Sequence, residues 1–418
     1  MKIVKRSGTE VLFDRSKIVR AIQKANDEVG LHERLPMSRI EAIAGDIEAA
    51  CGRLEHTPSV EDVQDMVERN LMDSNAFVLM KTYIQYRYLH NLERANYKEL
   101  INAVSEKLTA SNVQNQNANV DEHSFGGRVG EASSVVTRHY ALEYLLSPMA
   151  KANHLNNEIY IHDLDSYAVG NHNCLSIPFD DLLANGFNTR QTDVRPAQSI
   201  STAFQLVAVL FQLQSLQQFG GASATHLDWT MVPYVRKSFY KHYKDGLKYV
   251  EQVDVSVDPP TPAEELSIDS PWYKEYAKAA RYAMDITMRE TYQAVEGMYH
   301  NLNTLQSRSG NQLPFTSVNY GTCTLPEGRL VTKALLDTCI KGVGKLHKTS
   351  IFPCGIFQCM NGVNRKPGDP NYDLFKLALR STAQRLYPNY ANVDWSGNAG
   401  YDRNDPKTYF STINKTVA

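Results

Sequence analysis

Lys5 and Arg6 lie at the end of a short β-branched run, and Lys17 falls in the first turn of the amphipathic segment that follows. Three cations beside a helix N-terminus suit a triphosphate, because the charges and the free N–H groups of the first turn both favour anions. A solvated basic face has the same composition, so charge alone leaves both readings open. Six cysteines, at 51, 174, 323, 339, 354 and 359, contain no C-x-x-C pair and no framework spacing. They read as reduced thiols, some of them reactive. Cys354 stands between Pro353 and Gly355, a bend signal, with Ile351, Phe352, Ile356 and Phe357 available to keep a loop tip dry. A buried inert cysteine is the competing reading. His162, His172 and Cys174 match no usual zinc spacing and lack an evident fourth ligand, so no metal site is expected. Gly220-Gly221 would let backbone approach a ligand or would simply end a helix. The turn Ser309-Gly310-Asn311 carries the same two readings.

The elements that must position these residues divide into a compact N-terminal module and a longer body. Lys2 to Lys5 and Val11 to Phe13 read as strands joined at Ser7-Gly8-Thr9. Asp14 then caps a helix with Ile18, Ala21, Ile22 and Ala25 on one face. A second helix buries Ile40, Ile43, Ala44 and Ile47, with Cys51 in its core. A third opens at Thr57-Pro58, proline taking the first helical position, and carries Val60, Val63, Val67 and Leu71. A fourth spans about Ala76 to Glu93. The polar stretch Ser111 to Asn119 reads as a linker. Long helical patterns follow at Glu131–Ala152, Ser199–Gln218, Trp229–Val250 and Pro271–Ser307. Strand-like runs lie between them at Glu158–His162, Cys174–Phe179, Phe315–Tyr320 and Ser350–Phe357. This alternation predicts an α/β body. The chain has 418 residues, 42% hydrophobic and 22% charged, with net charge −2. That balance argues against a general nucleic-acid binder. No apolar run approaches the ~20 residues of a membrane span, and Met1 to Arg6 lacks a signal-peptide core, so a cytoplasmic protein is expected.

The order Val4-Lys5-Arg6-x-Gly8, Phe13-Asp14-x-x-Lys17-Ile18, Val67-Glu68 and Lys81-x-Tyr83-Ile84-x-Tyr86-Arg87 resembles the ATP-cone domain, over residues 1–95. The resemblance implies ATP and dATP as allosteric effectors, held by Lys5, Arg6, Asp14 and Lys17. Residues 96–418 are similar to anaerobic (class III) ribonucleoside-triphosphate reductase. The motifs that carry this are Asn117 to Glu122, Ser124-Phe125-Gly126-Gly127-Arg128, Tyr160-Ile161-His162-Asp163-Leu164-Asp165, Phe219-Gly220-Gly221-Ala222-Ser223, Ser307 to Phe315 and Pro367 to Leu374. That family implies part of a ten-stranded α/β barrel with a finger loop in its centre. Cys354 matches the finger-loop cysteine, which becomes a thiyl radical, and Cys174 the second active-site cysteine, on the first barrel strand. Gly220, Gly221, Ser223 and Asn311 would contact the ribonucleoside triphosphate.

The same resemblance implies formate or a thioredoxin-like reductant, a radical-AdoMet activase with an iron–sulfur cluster, and a homodimer. The family's glycyl-radical segment and four-cysteine zinc site have no counterpart here. The expectation is therefore an N-terminal portion that needs a C-terminal half or second subunit, with no nucleic-acid or membrane partner. The alternative is a catalytically inactive nucleotide-sensing regulatory subunit.

Overall fold

The computed structural model describes residues 1–6, 8–109, 124–170, 173–218, 220–253, 258–307, 312–395, 400–409 and 411–412. The expected linker at 111–119 lies outside them. Two compact units result, Met1–Ala103 and Val104–Ala418.

In the first unit, β1 (Lys2–Val4) and β2 (Glu10–Leu12) form an antiparallel hairpin. Asp14 caps α1 (Arg15–Glu28) by accepting the Ser16 N–H, as its sequence position predicts. Helix α2 (Met37–Cys51) buries Ile40, Ile43, Ala44 and Ile47, which pack with Ile18 and Ile22. Helix α3 (Val60–Asp73) starts later than expected. Ser59, not Thr57, is its cap, and it forms a reciprocal capping box with Asp62. Pro58 stays outside the helix because its carbonyl accepts the Val4 N–H at 2.9 Å. Helix α4 (Phe77–Thr109) runs 33 residues, well past the expected Glu93.

The second unit opens with α5 (Phe125–Tyr140) and α6 (Pro148–Leu155). One continuous helix was expected here, but Ser147 caps a new helix with Pro148 in its first turn. Glu158–His162 forms no strand: the Glu158 and Ile159 N–H groups both turn back to the Asn153 carbonyl. Then come β3 (Leu175–Ser176), α7 (Phe179–Asn185), the small ribbon β4 (Phe187–Asn188) and β5 (Asp193–Val194), and α8 (Ile200–Ser215). The chain continues through β6 (Ala222–Ala224), α9 (Leu227–Thr230), α10 (Val232–Gly246), α11 (Ala277–Thr304), β7 (Thr316–Tyr320) and α12 (Pro326–Lys341). It ends in β8 (Cys354–Cys359), α13 (Tyr372–Arg385) and β9 (Asn389–Asn392).

Strands β3-β6-β7-β8-β9 make one five-stranded sheet in that order, with every neighbouring pair parallel. The molecule is α/β, with helices covering one face of the sheet. Ala222, Ala224, Val318, Tyr320 and Phe357 join Phe204, Phe211, Tyr299 and Leu335 of the helices in one core. Side chains alternate across a strand, so Ser223, Ser317, Asn319 and Gln358 point to the opposite, polar face. Among the described residues, no helix is long and apolar enough to cross a membrane.

Candidate functional site

The four expected nucleotide residues sit on the hairpin and the start of α1. Gly8, at φ +80°, donates to the Lys5 carbonyl (2.8 Å), and Lys5 N–H donates to Thr9 (2.9 Å), so the turn is tight. Lys5 and Lys17 are exposed. Asp14 is committed to Ser16, receiving its hydroxyl at 2.6 Å and its N–H at 3.0 Å. Those bonds hold its carboxyl below the usual range, the Ser16 hydroxyl chiefly and Lys17 in support. Arg6 does not project freely: it pairs with Glu61 and donates to Gln64 at 2.7 Å.

Cys174 immediately precedes edge strand β3 and is exposed. Gly220 and Gly221 are buried beside it. A Cβ at Gly220 would lie 1.6 Å from the Asn173 carbonyl oxygen, so only glycine lets these two backbones meet. The Gly221 N–H points at the Cys174 sulfur, 3.3 Å away. The pair does not end a helix either, since α8 stops at Ser215. Ser223 lies fully buried on the polar face, where Asn319 donates to it at 3.0 Å. Both touch the backbone of Thr412: its carbonyl accepts from Ser223 (3.4 Å) and Asn319 (3.2 Å), and its N–H donates to Asn319 (3.3 Å). Asn311 lies outside the described residues.

Cys354 corrects an expectation. It opens strand β8 instead of occupying a loop tip, in register with Ser317 of β7, and has no exposed surface. Its sulfur lies 3.7 Å from the Tyr387 hydroxyl and 3.8 Å from the Ile351 carbonyl. Cys174 and Cys354 are on strands three places apart in the sheet, about 14 Å along it. A thiyl radical must come within about 3–3.5 Å of the hydrogen it takes. The structure therefore does not bring these two sulfurs to one ribose. The physical reason is the apolar run around Cys354, which satisfies a buried parallel strand better than an exposed bend.

A further polar group stands at the carboxyl ends of β3 and β6, where parallel sheets commonly bind ligands. One Asp180 oxygen lies 2.7 Å from His226 Nε2, and the Thr225 hydroxyl lies 2.7 Å from Nδ1 of the same ring. Thr230 donates to the other Asp180 oxygen at 2.6 Å. Burial opposes the charge on Asp180, yet the His226 and Thr230 bonds outweigh it and hold the carboxyl below its usual range. With Ser176 and Lys407 these residues line a cavity of about 220 Å³. Sequence reading missed Asp180, His226, Asn319 and Gln358. For Asn319 a signal existed, since Ser317-Val318-Asn319-Tyr320 alternates polar and apolar. The Asp180–His226 pair is made by tertiary structure and left no local trace.

Comparison with known proteins accounts for most of the chain. Residues 116–409 match the family model described as anaerobic ribonucleoside-triphosphate reductase, and residues 1–92 match that of the ATP cone domain. The anaerobic ribonucleoside-triphosphate reductase of Haemophilus influenzae is 30% identical over 396 residues, covering 94% of this chain and 52% of that protein. The Escherichia coli K12 protein of the same name is also 30% identical, over 94% of this chain and 51% of its own length. A solved anaerobic ribonucleotide reductase from Thermotoga maritima, in complex with dATP and CTP, aligns at 14% identity and TM-score 0.47, covering 75% of this chain and 51% of that one. The chain spans about half the length of the relatives it matches. With an ATP cone model matched over residues 1–92 and the reductase model over residues 116–409, this chain belongs to the anaerobic ribonucleoside-triphosphate reductase family.

Proposed function

We propose that this chain supplies the effector-binding unit and part of the catalytic barrel of an enzyme that reduces ribonucleoside triphosphates to deoxyribonucleoside triphosphates by radical chemistry. One observation carries the reading: the reductase family match falls on a parallel sheet whose face away from the helices is polar and whose first strand is preceded by an exposed cysteine. On this reading Cys174 serves hydrogen transfer at the substrate, with Gly220 and Gly221 fixing its position. Ser223 and Asn319 supply hydrogen bonds on the polar face. Lys5, Arg6 and Lys17 receive the phosphates of ATP or dATP, and Asp14 fixes the helix start beside them. The thiyl role is not given to Cys354, which is fully buried and lies three strands away from Cys174. The glycyl radical, zinc site, activase, formate or thioredoxin-like reductant, dimer and cytoplasmic setting belong to the complete enzyme in this proposal.

The test is complementation. The chain is co-produced with the C-terminal half of a relative, then supplied anaerobically with activase, AdoMet and a reductant, and deoxynucleotides are measured. Turnover that disappears in Cys174→Ser and survives in Cys354→Ala is expected. A well-folded complemented pair that binds effector yet never turns over would favour the regulatory-subunit alternative. Loss of turnover in a folded Cys354→Ala pair would return the radical role to that residue.

A further inference from the structure

Strand β1, which leads into Lys5 and Arg6, is tied to α3. Val4 N–H donates to the Pro58 carbonyl at 2.9 Å, and Val4 bridges Ser59 in parallel. Lys5 and Arg6 are thereby set against the first turn of α3, a place that favours anions. That turn brings its own, Glu61 and Asp62. Asp62 is consumed by the cap, accepting the Ser59 N–H and hydroxyl at 2.8 Å each. Glu61 has no capping duty. One of its oxygens takes the Arg6 Nε–H and the other takes Arg87 at 2.8 Å.

The two arginines depend on Glu61 unequally. Arg87 holds two more carboxylates, Asp65 at 2.6 Å and Glu68 at 2.7 Å, and its side chain is only 19% exposed. Arg6 has Glu61 as its one carboxylate among the described residues, with the neutral Gln64 beside it. Lys5 and Lys17 have no ion-pair partner among the described residues. The cationic site is therefore two open ammonium groups and one guanidinium already neutralised from inside the protein.

We propose that Glu61 is an internal counter-anion of the nucleotide site: a triphosphate gains Arg6 only by displacing, or by enduring, the Glu61 carboxylate. Binding becomes an exchange of one anion for another, and Glu61 sets the affinity. The displaced carboxylate remains on Arg87, so occupancy of the hairpin is felt on α3 and α4. This inference rests on the effector reading above and adds to it the residue that opposes the ligand.

The experiment is titration calorimetry of ATP and dATP into the full chain and four variants. Glu61→Gln removes the charge and keeps an acceptor for Arg6, and should tighten binding about fivefold, the equivalent of one half-exposed ion pair. Glu68→Gln removes a carboxylate that touches Arg87 but not Arg6, and should leave affinity within about twofold. Lys17→Ala and Arg6→Ala should each weaken binding about tenfold. Unchanged or weaker binding by Glu61→Gln overturns the proposal, as does equal tightening by Glu68→Gln, which would make the effect general acidity. No binding by the wild-type chain at millimolar nucleotide would instead defeat the effector reading itself, and this inference with it.

Discussion

Cys174 and Cys354 show how far a single residue can be read from its neighbours. Burial holds the Cys51, Cys323, Cys339 and Cys359 thiols above their ordinary range. Cys354 is fully buried, whereas Cys174 is exposed. Alkylation of the native chain, mapped by mass spectrometry, should modify Cys174 about tenfold faster than Cys51, Cys323, Cys339 or Cys354. Faster modification of Cys354 would mean that the start of β8 opens in solution, and would restore the loop-tip placement. Proline and glycine around Cys354 are a sound local bend signal. They were overruled because Ile356 and Phe357, both without exposed surface, continue as a strand between β7 and β9. Gly220 is the opposite case. Its permissiveness was legible, but the neighbour that demands it, the Asn173 carbonyl, comes from a distant stretch of chain.

At the scale of elements, helices were the more readable. The stripes of α1 and α2 follow from 3.6-residue spacing, and Asp14 caps where its sequence position places it. The start of α3 was half legible, because Ser59 and Asp62 have capping-box spacing while the hairpin contact that holds Pro58 extended does not show in sequence. Strands β6 and β9 were missed. Ala222-Ser223-Ala224 and Asn389-Tyr390-Ala391-Asn392 have little strand propensity and become strands by pairing with β7 and β8. Ser59→Ala should cost about 1 kcal/mol, read as faster amide exchange across α3 at neutral pH. The Ser59 N–H and hydroxyl lower the Asp62 carboxyl, and Arg6 foremost lowers that of Glu61. Both lie below their unfolded values, so their contribution is complete above about pH 4–5 and is lost as pH falls through the lowered values. The gap between wild type and Ser59→Ala should therefore shrink in acid. A gap that widens would remove Asp62 from the cap.

Among the described residues of the second unit, two fully buried carboxylates tie elements together. Glu327 has no exposed surface and joins Arg236 (2.8 Å) and the Ile268 N–H (2.9 Å), tying α12 to α10 and to the segment before α11. Asp228, pushed up by burial, is answered by the Gly321 and Cys323 N–H groups at 2.8 and 2.9 Å, and so ties α9 to the end of β7. These ties act on a sheet whose spatial order is also its chain order. Such a sheet can be laid down strand by strand during synthesis, each new strand adding to the edge left by the last. The longest wait falls between Ala224 and Thr316, roughly 90 residues, or about 5–20 seconds at cellular elongation rates. Through that interval β6 is an open template for pairing with other nascent chains, the stage at which crowded polysomes would tangle. The Ala222 amide reports the moment directly, because its mature partner is the Phe315 carbonyl at 2.9 Å. On stalled ribosomes it should exchange freely until Phe315 has emerged and slow thereafter, whereas early protection would mean that another segment shields β6 in the meantime.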